Sequence, residues 1–365
     1  MKLSKSTYIA ILFGLLFGAL VAYWQTVWSF TKDITNSYSF ADATAMAAPS
    51  VVSIFTSTIK TVNPRSNNPL IERFFKNQPR RQSTQQEISL GSGIIIHKNG
   101  YIVTNLHVIR DASEILVQLY DGRQTNAKVV GKDEETDLAV LKIKLTQLDP
   151  VLIGNSQIMR VGDAVLAIGN PFGFGQTVTS GIISAKGRYG LNLNTYENYI
   201  QTDAAVNIGS SGGALINARG ELIGMNTANY TQSGGSLGIA LATPVETISK
   251  VLTDIIQYGY VIRGWLGLEV TQLTPALAQL LSINRDHGVV ITHTHSEGPA
   301  EKAGLKINDV ILSIDGIDIN TGHQGLLEVA ELSPGKQISI EVLRNNQKQT
   351  IMAEIGIRPV LSARQ

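Results

Sequence analysis

NIGSSGGAL, residues 207–215, sets Ser210 and Ser211 side by side among three glycines. A serine hydroxyl is a poor nucleophile unless a base takes its proton and donors receive the charge that develops. A glycine-rich loop can present such a hydroxyl, because glycine reaches backbone conformations other residues avoid. The same composition also suits an ordinary turn, so the rest of the chain has to decide.

Six histidines are available as the base. His97 adjoins the turn Lys98-Asn99-Gly100 and reads as a surface residue, while His287 and His323 sit in turn-like context. His293 and His295 alternate on one strand, but no third ligand accompanies them, so neither a metal nor a cofactor is expected. His107 follows YIVTNL, at the end of a strand where a loop can present it. Thirty residues later Asp137 opens DLAVLKI, and Ser211 stands 74 residues beyond that. His, Asp, Ser is one of several chain orders in which the hydrolytic triad occurs.

Bulk composition narrows the alternatives. The chain has 365 residues, more than one ordinary core fills, so two folded units are expected. Hydrophobic residues at 43% and charged ones at 16% exclude a disordered chain. A net charge of +1 without a basic stripe gives no nucleic-acid partner. The absence of cysteine excludes thiol catalysis and thiolate metal sites. GNPFGFGQ (169–176) does not lead into a helix and no Gly-Lys-Ser/Thr follows it, so no nucleotide site is read there.

The N-terminus carries YIAILFGLLFGALVAYW (8–24) after Lys2 and Lys5. At about 1.5 Å per residue this nearly spans a ~30 Å hydrocarbon layer, and no small-residue cleavage site follows it. The expectation is an uncleaved transmembrane anchor over 8–30, with 1–7 cytoplasmic and the remainder across the membrane. Residues 31–45 read as a tether and 60–88 as a mobile surface loop. Between them and up to residue 243, short β-branched runs separated by turns indicate a barrel or sandwich. VETISKVLTDIIQYG (245–259) has helical spacing and a terminal glycine, and the domain boundary is placed just after it. Residues 260–358 read as a second, α/β unit, with strands at 288–294, 309–316 and 337–344 and helices at 275–282, 298–304 and 322–332.

TNLHVI, TDLAVLKI, GNPFGFGQTVTSGIIS, IQTDAAVNIGSSGGALIN and RGELIGMNT resemble blocks of the HtrA family of serine proteases, in the right order and spacing. GWLGLEV and the region after it are similar to that family's PDZ domain. One anchor, one protease domain and one PDZ domain is the layout of the family's DegS type. The resemblance implies a mostly β fold: a trypsin-like protease of two six-stranded barrels over 46–257, then an α/β PDZ domain, behind a transmembrane helix. It implies His107, Asp137 and Ser211 as the triad, with the N–H groups of Gly209 and Ser211 as the oxyanion hole. Ser210 stands where the family has Asn, and Ile208 where it often has Pro. Ala205, six residues before the nucleophile, would form the uncharged base of the S1 pocket, with walls from 224–228, including Met225 and Thr227, and from the segment near 238–241. Cleavage after small or medium aliphatic residues is then expected.

In the PDZ unit the resemblance gives Trp265, Leu266, Gly267 and Leu268 to the peptide carboxylate. Residues 187–197, with Arg188, would be the sensor loop linking PDZ occupancy to the oxyanion hole. A homotrimer is implied, with Tyr38 and Phe40 as candidate contacts. The implied role is a periplasmic endopeptidase of the bacterial inner membrane. It would cut a regulatory membrane protein of the anti-sigma-factor type once C-terminal peptides of misfolded outer-membrane proteins fill the PDZ domain. The alternative is a general quality-control protease and chaperone for unfolded envelope proteins.

Overall fold

The computed structural model describes residues 14–25, 39–62, 83–170, 175–229, 238–285 and 288–359. Residues 14–25 are helical. Among the described residues no helix is long and apolar enough to cross a membrane. Residues 8–13 and 26–30 of the expected anchor, residues 31–38 of the tether, and Tyr38 with them, lie outside the described residues.

The first sheet contains β1 (Val51–Val62), β2 (Ser83–His97), β3 (Tyr101–Asn105), β4 (Glu114–Gln118), β5 (Gln124–Asn126), β6 (Lys128–Asp133) and β7 (Leu138–Lys142), in the order β5-β4-β1-β2-β3-β7-β6. β5 and β6 are one strand broken at Ala127, whose N–H still bonds the Ile115 carbonyl of β4. The two halves pair with opposite ends of the sheet, β4 and β7, so six strands close into a barrel. The second sheet holds β8 (Leu152–Ile153), β9 (Ala164–Gly169), β10 (Thr177–Arg188), β11 (Tyr199–Thr202), β12 (Ala214–Asn217), β13 (Glu221–Asn229) and β14 (Ala240–Pro244). Here β12-β9-β10-β11-β14-β13 closes directly because β13 returns to β12, and β8 runs parallel beside β13.

The apolar runs are continuous because both faces of these strands are buried. Val165 and Ala167 of β9 face the second barrel's own core, while Leu166 and Ile168 face the seam between the barrels. In β7, Ala139 and Leu141 fill the first barrel, and Leu138 and Val140 face the same seam. A strand sandwiched this way needs no polar alternation.

Helix α1 (Ala41–Ala47) seals that seam with Ala43 and Ala47. The tether expected over 31–45 therefore gives way at Ala41 to a helix that packs on the barrels. α2 (Leu106–Ile109) follows β3. α3 (Val245–Tyr258) buries Val245, Ile248, Val251 and Ile255 and ends at Gly259 with φ +83°. The loop expected over 60–88 is also shorter than its composition suggests. β1 and β2 stay paired out to Val62 and Ser83, which leaves 63–82, outside the described residues. A ladder of backbone hydrogen bonds needs no apolar face, so STQQE offers no signal.

The second domain has β15 (Gly264–Trp265), β16 (Leu268–Gln272), β17 (Val289–Thr294), β18 (Val310–Ile314), β19 (Ile317–Asp318), β20 (Gln337–Arg344), β21 (Gln347–Glu354) and β22 (Gly356–Ile357). Its helices are α4 (Pro275–Leu280), α5 (Pro299–Lys302) and α6 (Gly322–Glu331). The sheet runs β16-β17-β18-β20-β21, so β16 is an edge strand, and β15 pairs with β22.

Candidate active site

The end of β3, the short helix α2 and the start of β7 bring the base and the carboxylate together. Asp137 Oδ1 accepts the backbone N–H of His107 at 2.9 Å, and Oδ2 accepts the ring Nδ1–H at 2.5 Å. The Asp137 carbonyl accepts the Leu106 N–H at 2.9 Å and the Asn105 amide at 3.2 Å. These bonds hold Asp137 at φ +57°, a left-handed conformation that is rare for a residue with a side chain. The Asp137 side chain is 9% exposed and that of His107 43%. The imidazole thus turns its other nitrogen outward while its Nδ1 side is fixed.

Ser211 lies on the loop entering β12, and faces the same cavity of about 390 Å³ as His107, Gly209 and Ile208. Its hydroxyl donates to the Thr227 carbonyl at 3.3 Å. The loop is clamped from the first barrel by Ser92, whose N–H donates to the Ser211 carbonyl at 2.9 Å and whose hydroxyl donates to the Gly209 carbonyl at 2.7 Å. At Gly212, φ is +84°, and a Cβ would stand 2.1 Å from the Ser92 carbonyl oxygen. Glycine is obligatory there. The Ser210 N–H is spent on the Asn207 carbonyl at 2.9 Å. The N–H groups of Gly209 and Ser211 have no acceptor among the described residues.

The S1 residues fare unequally. Ala205 is exposed, and its carbonyl accepts the Thr179 hydroxyl. Thr227 offers its carbonyl to Ser211, but its hydroxyl turns inward to Thr243. Met225 is fully buried in the seam between the barrels. It is therefore no pocket wall. On β13 successive side chains take opposite sides, and Met225 takes the core side.

In the second domain Trp265, Leu266, Gly267 and Leu268 all line a groove of about 360 Å³, floored by Val270, Ile314 and Leu326. Gly267 sits at φ +72°, and the N–H groups of Leu266 and Gly267 bond no described residue. The groove runs between the edge strand β16 and helix α6.

Arg188 bonds Gln201 across the ladder at 2.8 Å and stays within its own barrel. The residues of its loop that reach the second domain are others. Tyr189 stacks on His323 with ring centroids 4.3 Å apart, and the Glu197 carbonyl meets His323 Nε2 at 2.5 Å. Tyr196 lies 4.5 Å from the Arg263 guanidinium. The buried Glu197 carboxylate gathers the N–H groups of Leu191, Leu193 and Asn194, which gives the loop its shape. His323 lines the groove from the first turn of α6. Tyr189 and Glu197 fall within 187–197, the loop the resemblance marks, but there Arg188 is the residue singled out; Ser92 and His323 carry no motif that the sequence marks. Of the trimer candidates, Phe40 is described, partly exposed at the start of α1.

A model of the trypsin-like peptidase domain matches residues 91–225 and one of the PDZ domain residues 264–355. The serine endoprotease DegS of Escherichia coli K12 is 40% identical over 333 residues, which cover 90% of this chain and 88% of that protein. The periplasmic serine endoprotease DegP of Salmonella typhimurium is 41% identical over 341 residues, covering 87% of this chain and 72% of that protein. A DegP-like protease of Hahella chejuensis is 42% identical over 78% of this chain, which spans 61% of that relative's length. The solved HtrA-type protease AlgW with a decapeptide is 47% identical, with a TM-score of 0.75, and covers 88% of this chain and 99% of its own.

Proposed function

The chain belongs to the HtrA family of trypsin-like serine endoproteases, and we propose that it is a membrane-anchored, peptide-activated protease of the periplasm. The observation that carries the catalytic part is that His107, its ring held from behind by Asp137, faces one cavity with Ser211. Ser211 Oγ attacks the scissile carbonyl carbon as its proton passes to His107 Nε2. Asp137 keeps Nδ1–H oriented and stabilises the imidazolium that forms. The carbonyl oxygen, now negative, takes the N–H groups of Gly209 and Ser211. Collapse breaks the C–N bond, the amine leaves with the proton from His107, and water then releases the acyl group by the same steps in reverse. With Ala205 below the S1 opening, small or medium aliphatic residues fit before the cut.

The protease unit is assigned to 46–257, with α1 running into its first residues, and the PDZ unit to 260–358. The free edge of β16 and the unpaired N–H groups of Leu266 and Gly267 suit an extended peptide added as a strand, with its terminal carboxylate in the glycine turn. Contact of Tyr189 and Glu197 with His323 supports control of the protease by groove occupancy. We assign the anchor to 8–30, a homotrimer as the assembly, C-terminal peptides of misfolded outer-membrane proteins as activators, and an anti-sigma-factor type of membrane protein as substrate.

The test is turnover of a peptide substrate with and without a synthetic decapeptide that has an aliphatic C-terminal residue. Its C-terminal amide is the control. Acceleration by the free acid alone is expected, and identical rates in all three arms sink the regulatory reading. Digestion of bulk unfolded protein without any such peptide would favour the quality-control role instead.

A further inference from the structure

Two histidines that proteolysis leaves unused stand together on the second domain. His293 lies near the end of β17 and His295 follows it by two residues, so both side chains leave the same face of the strand. Their ring centroids are 5.4 Å apart, with the ring planes at 78°. An imidazole centroid sits about 3.2 Å from a metal held by its nitrogen, so two rings sharing one tetrahedral ion have centroids about 5.2 Å apart. The observed pair has that spacing. Both residues are exposed, and no ring nitrogen of either makes a hydrogen bond among the described residues. Exposed imidazoles turn about a broad terminal torsion, which lets the two nitrogens converge.

Glu269 stands directly across the ladder from His293 and is exposed as well. Facing residues of an antiparallel pair have Cβ atoms about 4.5–5.5 Å apart, so a change of rotamer can bring its carboxylate to the pair. Among the described residues no three histidine, aspartate or glutamate side chains are already gathered for a metal. The shell is therefore two imidazoles, with water and a recruited carboxylate in the other places. Such donors suit zinc, nickel and copper, and copper(II) is held most tightly. The pair is also seated on the groove. His295 donates its backbone N–H to the Gly267 carbonyl at 2.9 Å, and its ring packs on Trp265 with centroids 5.5 Å apart. Trp265 and Gly267 both line the groove.

We propose that His293 and His295 form a binding site for a divalent transition-metal ion, and that the ion favours occupancy of the groove by a peptide with a free carboxylate. The second half rests on the groove being the peptide site. Neither histidine lines the catalytic cavity, so the ion is no part of the cut. Two positive charges about 10 Å from one carboxylate strengthen its binding about 2- to 4-fold in dilute salt, and screening removes the gain.

Trp265 reports the binding, because copper(II) beside a tryptophan quenches its fluorescence and zinc, with a filled d shell, does not. The other two tryptophans, Trp24 and Trp28, belong to the N-terminal segment. The full chain is titrated with copper(II) chloride, and excess zinc chloride is then added. Saturable quenching that zinc reverses is expected. His293→Gln and His295→Gln, both at exposed positions, should each raise the copper midpoint at least about 10-fold, and His97→Gln should not. No quenching, or one midpoint shared by wild type and both variants, overturns the site. A labelled, N-acetylated decapeptide with an aliphatic free-acid end is then titrated by anisotropy, with and without saturating zinc. Tighter binding with zinc is expected in wild type, and none of that gain in His293→Gln or in high salt. Equal affinity in wild type with and without zinc overturns the second half. A decapeptide that binds under neither condition overturns the groove reading and the second half with it, while the copper titration still decides the site.

Discussion

On the function proposed above, the catalytic cleft and the peptide groove both meet an extended chain, and they are held in opposite ways. In the cleft the backbone is over-determined. Asp137, Gly209 and Gly212 sit at φ +57°, +92° and +84°, and Ser92 clamps the loop from another barrel. In the groove the lining is mostly apolar side chains, and the polar groups on offer are the side chains of His323 and Arg358 and those a glycine turn and a sheet edge leave over. Stabilising a developing charge needs donors placed to within about 0.5 Å. Capturing a chain end needs an open edge. Substitutions should therefore be punished in the cleft and absorbed in the groove.

The largest effect is expected at the paired serines. Ser211→Ala should lower kcat by about 10⁶, the loss seen when a triad serine is removed. Ser210→Ala should retain most of the rate, because the Ser210 N–H and not its hydroxyl is engaged in the loop. Single-substrate turnover decides between them, and equal losses would break the assignment. Next comes Gly212→Ala. Its Cβ would meet the Ser92 carbonyl oxygen at 2.1 Å and the Thr104 hydroxyl at 2.5 Å, so backbone has to move. We expect an inactive protein destabilised by about 3–5 kcal/mol, read from its urea midpoint. An active, stable variant would show that the cleft is looser than its contacts imply.

The proposed triad is legible in the sequence because each member adjoins a strand end with a marked neighbour: YIVTN shortly before His107, LAVLKI after Asp137, the glycine pair after Ser211. Met225 is misplaced because the resemblance gives the S1 wall as a span, 224–228, and a span does not tell which of its side chains pack into the seam between the barrels. Arg263 and Asp133 are 130 residues apart, and no local pattern reports a contact between domains. β21 escapes a sequence reading because QKQTIMAE is largely solvated and carries little apolar periodicity.

An intermediate effect tests how the two regions communicate. Tyr189→Ala removes the stack on His323; Tyr189 itself lines neither the cleft nor the groove, and His323 keeps its place in the groove wall through its bond to the Glu197 carbonyl. Peptide affinity should persist while the activation ratio falls, within the roughly 5- to 150-fold range of ordinary allosteric coupling. Titrating rate against decapeptide separates the two quantities. Unchanged activation would show that this stack does not carry the link.

The smallest effect sharpens the contrast most. Gly325 lies inside α6 and lines the groove, and a Cβ there would meet only Ile319 Cγ2, at 3.4 Å. Glycine in a helix interior is less favourable than alanine by about 0.5–1 kcal/mol. Gly325→Ala should therefore stabilise the second domain by about that amount, by urea denaturation, and weaken decapeptide binding slightly as the trough narrows. The same chemical change, one methyl group, then has opposite signs at Gly212 and Gly325. What separates them is the partner atom: a backbone carbonyl tied into two barrels against the end of one isoleucine side chain. If Gly325→Ala instead unfolds the domain, the groove is as rigidly built as the cleft, and the division of labour drawn between them fails.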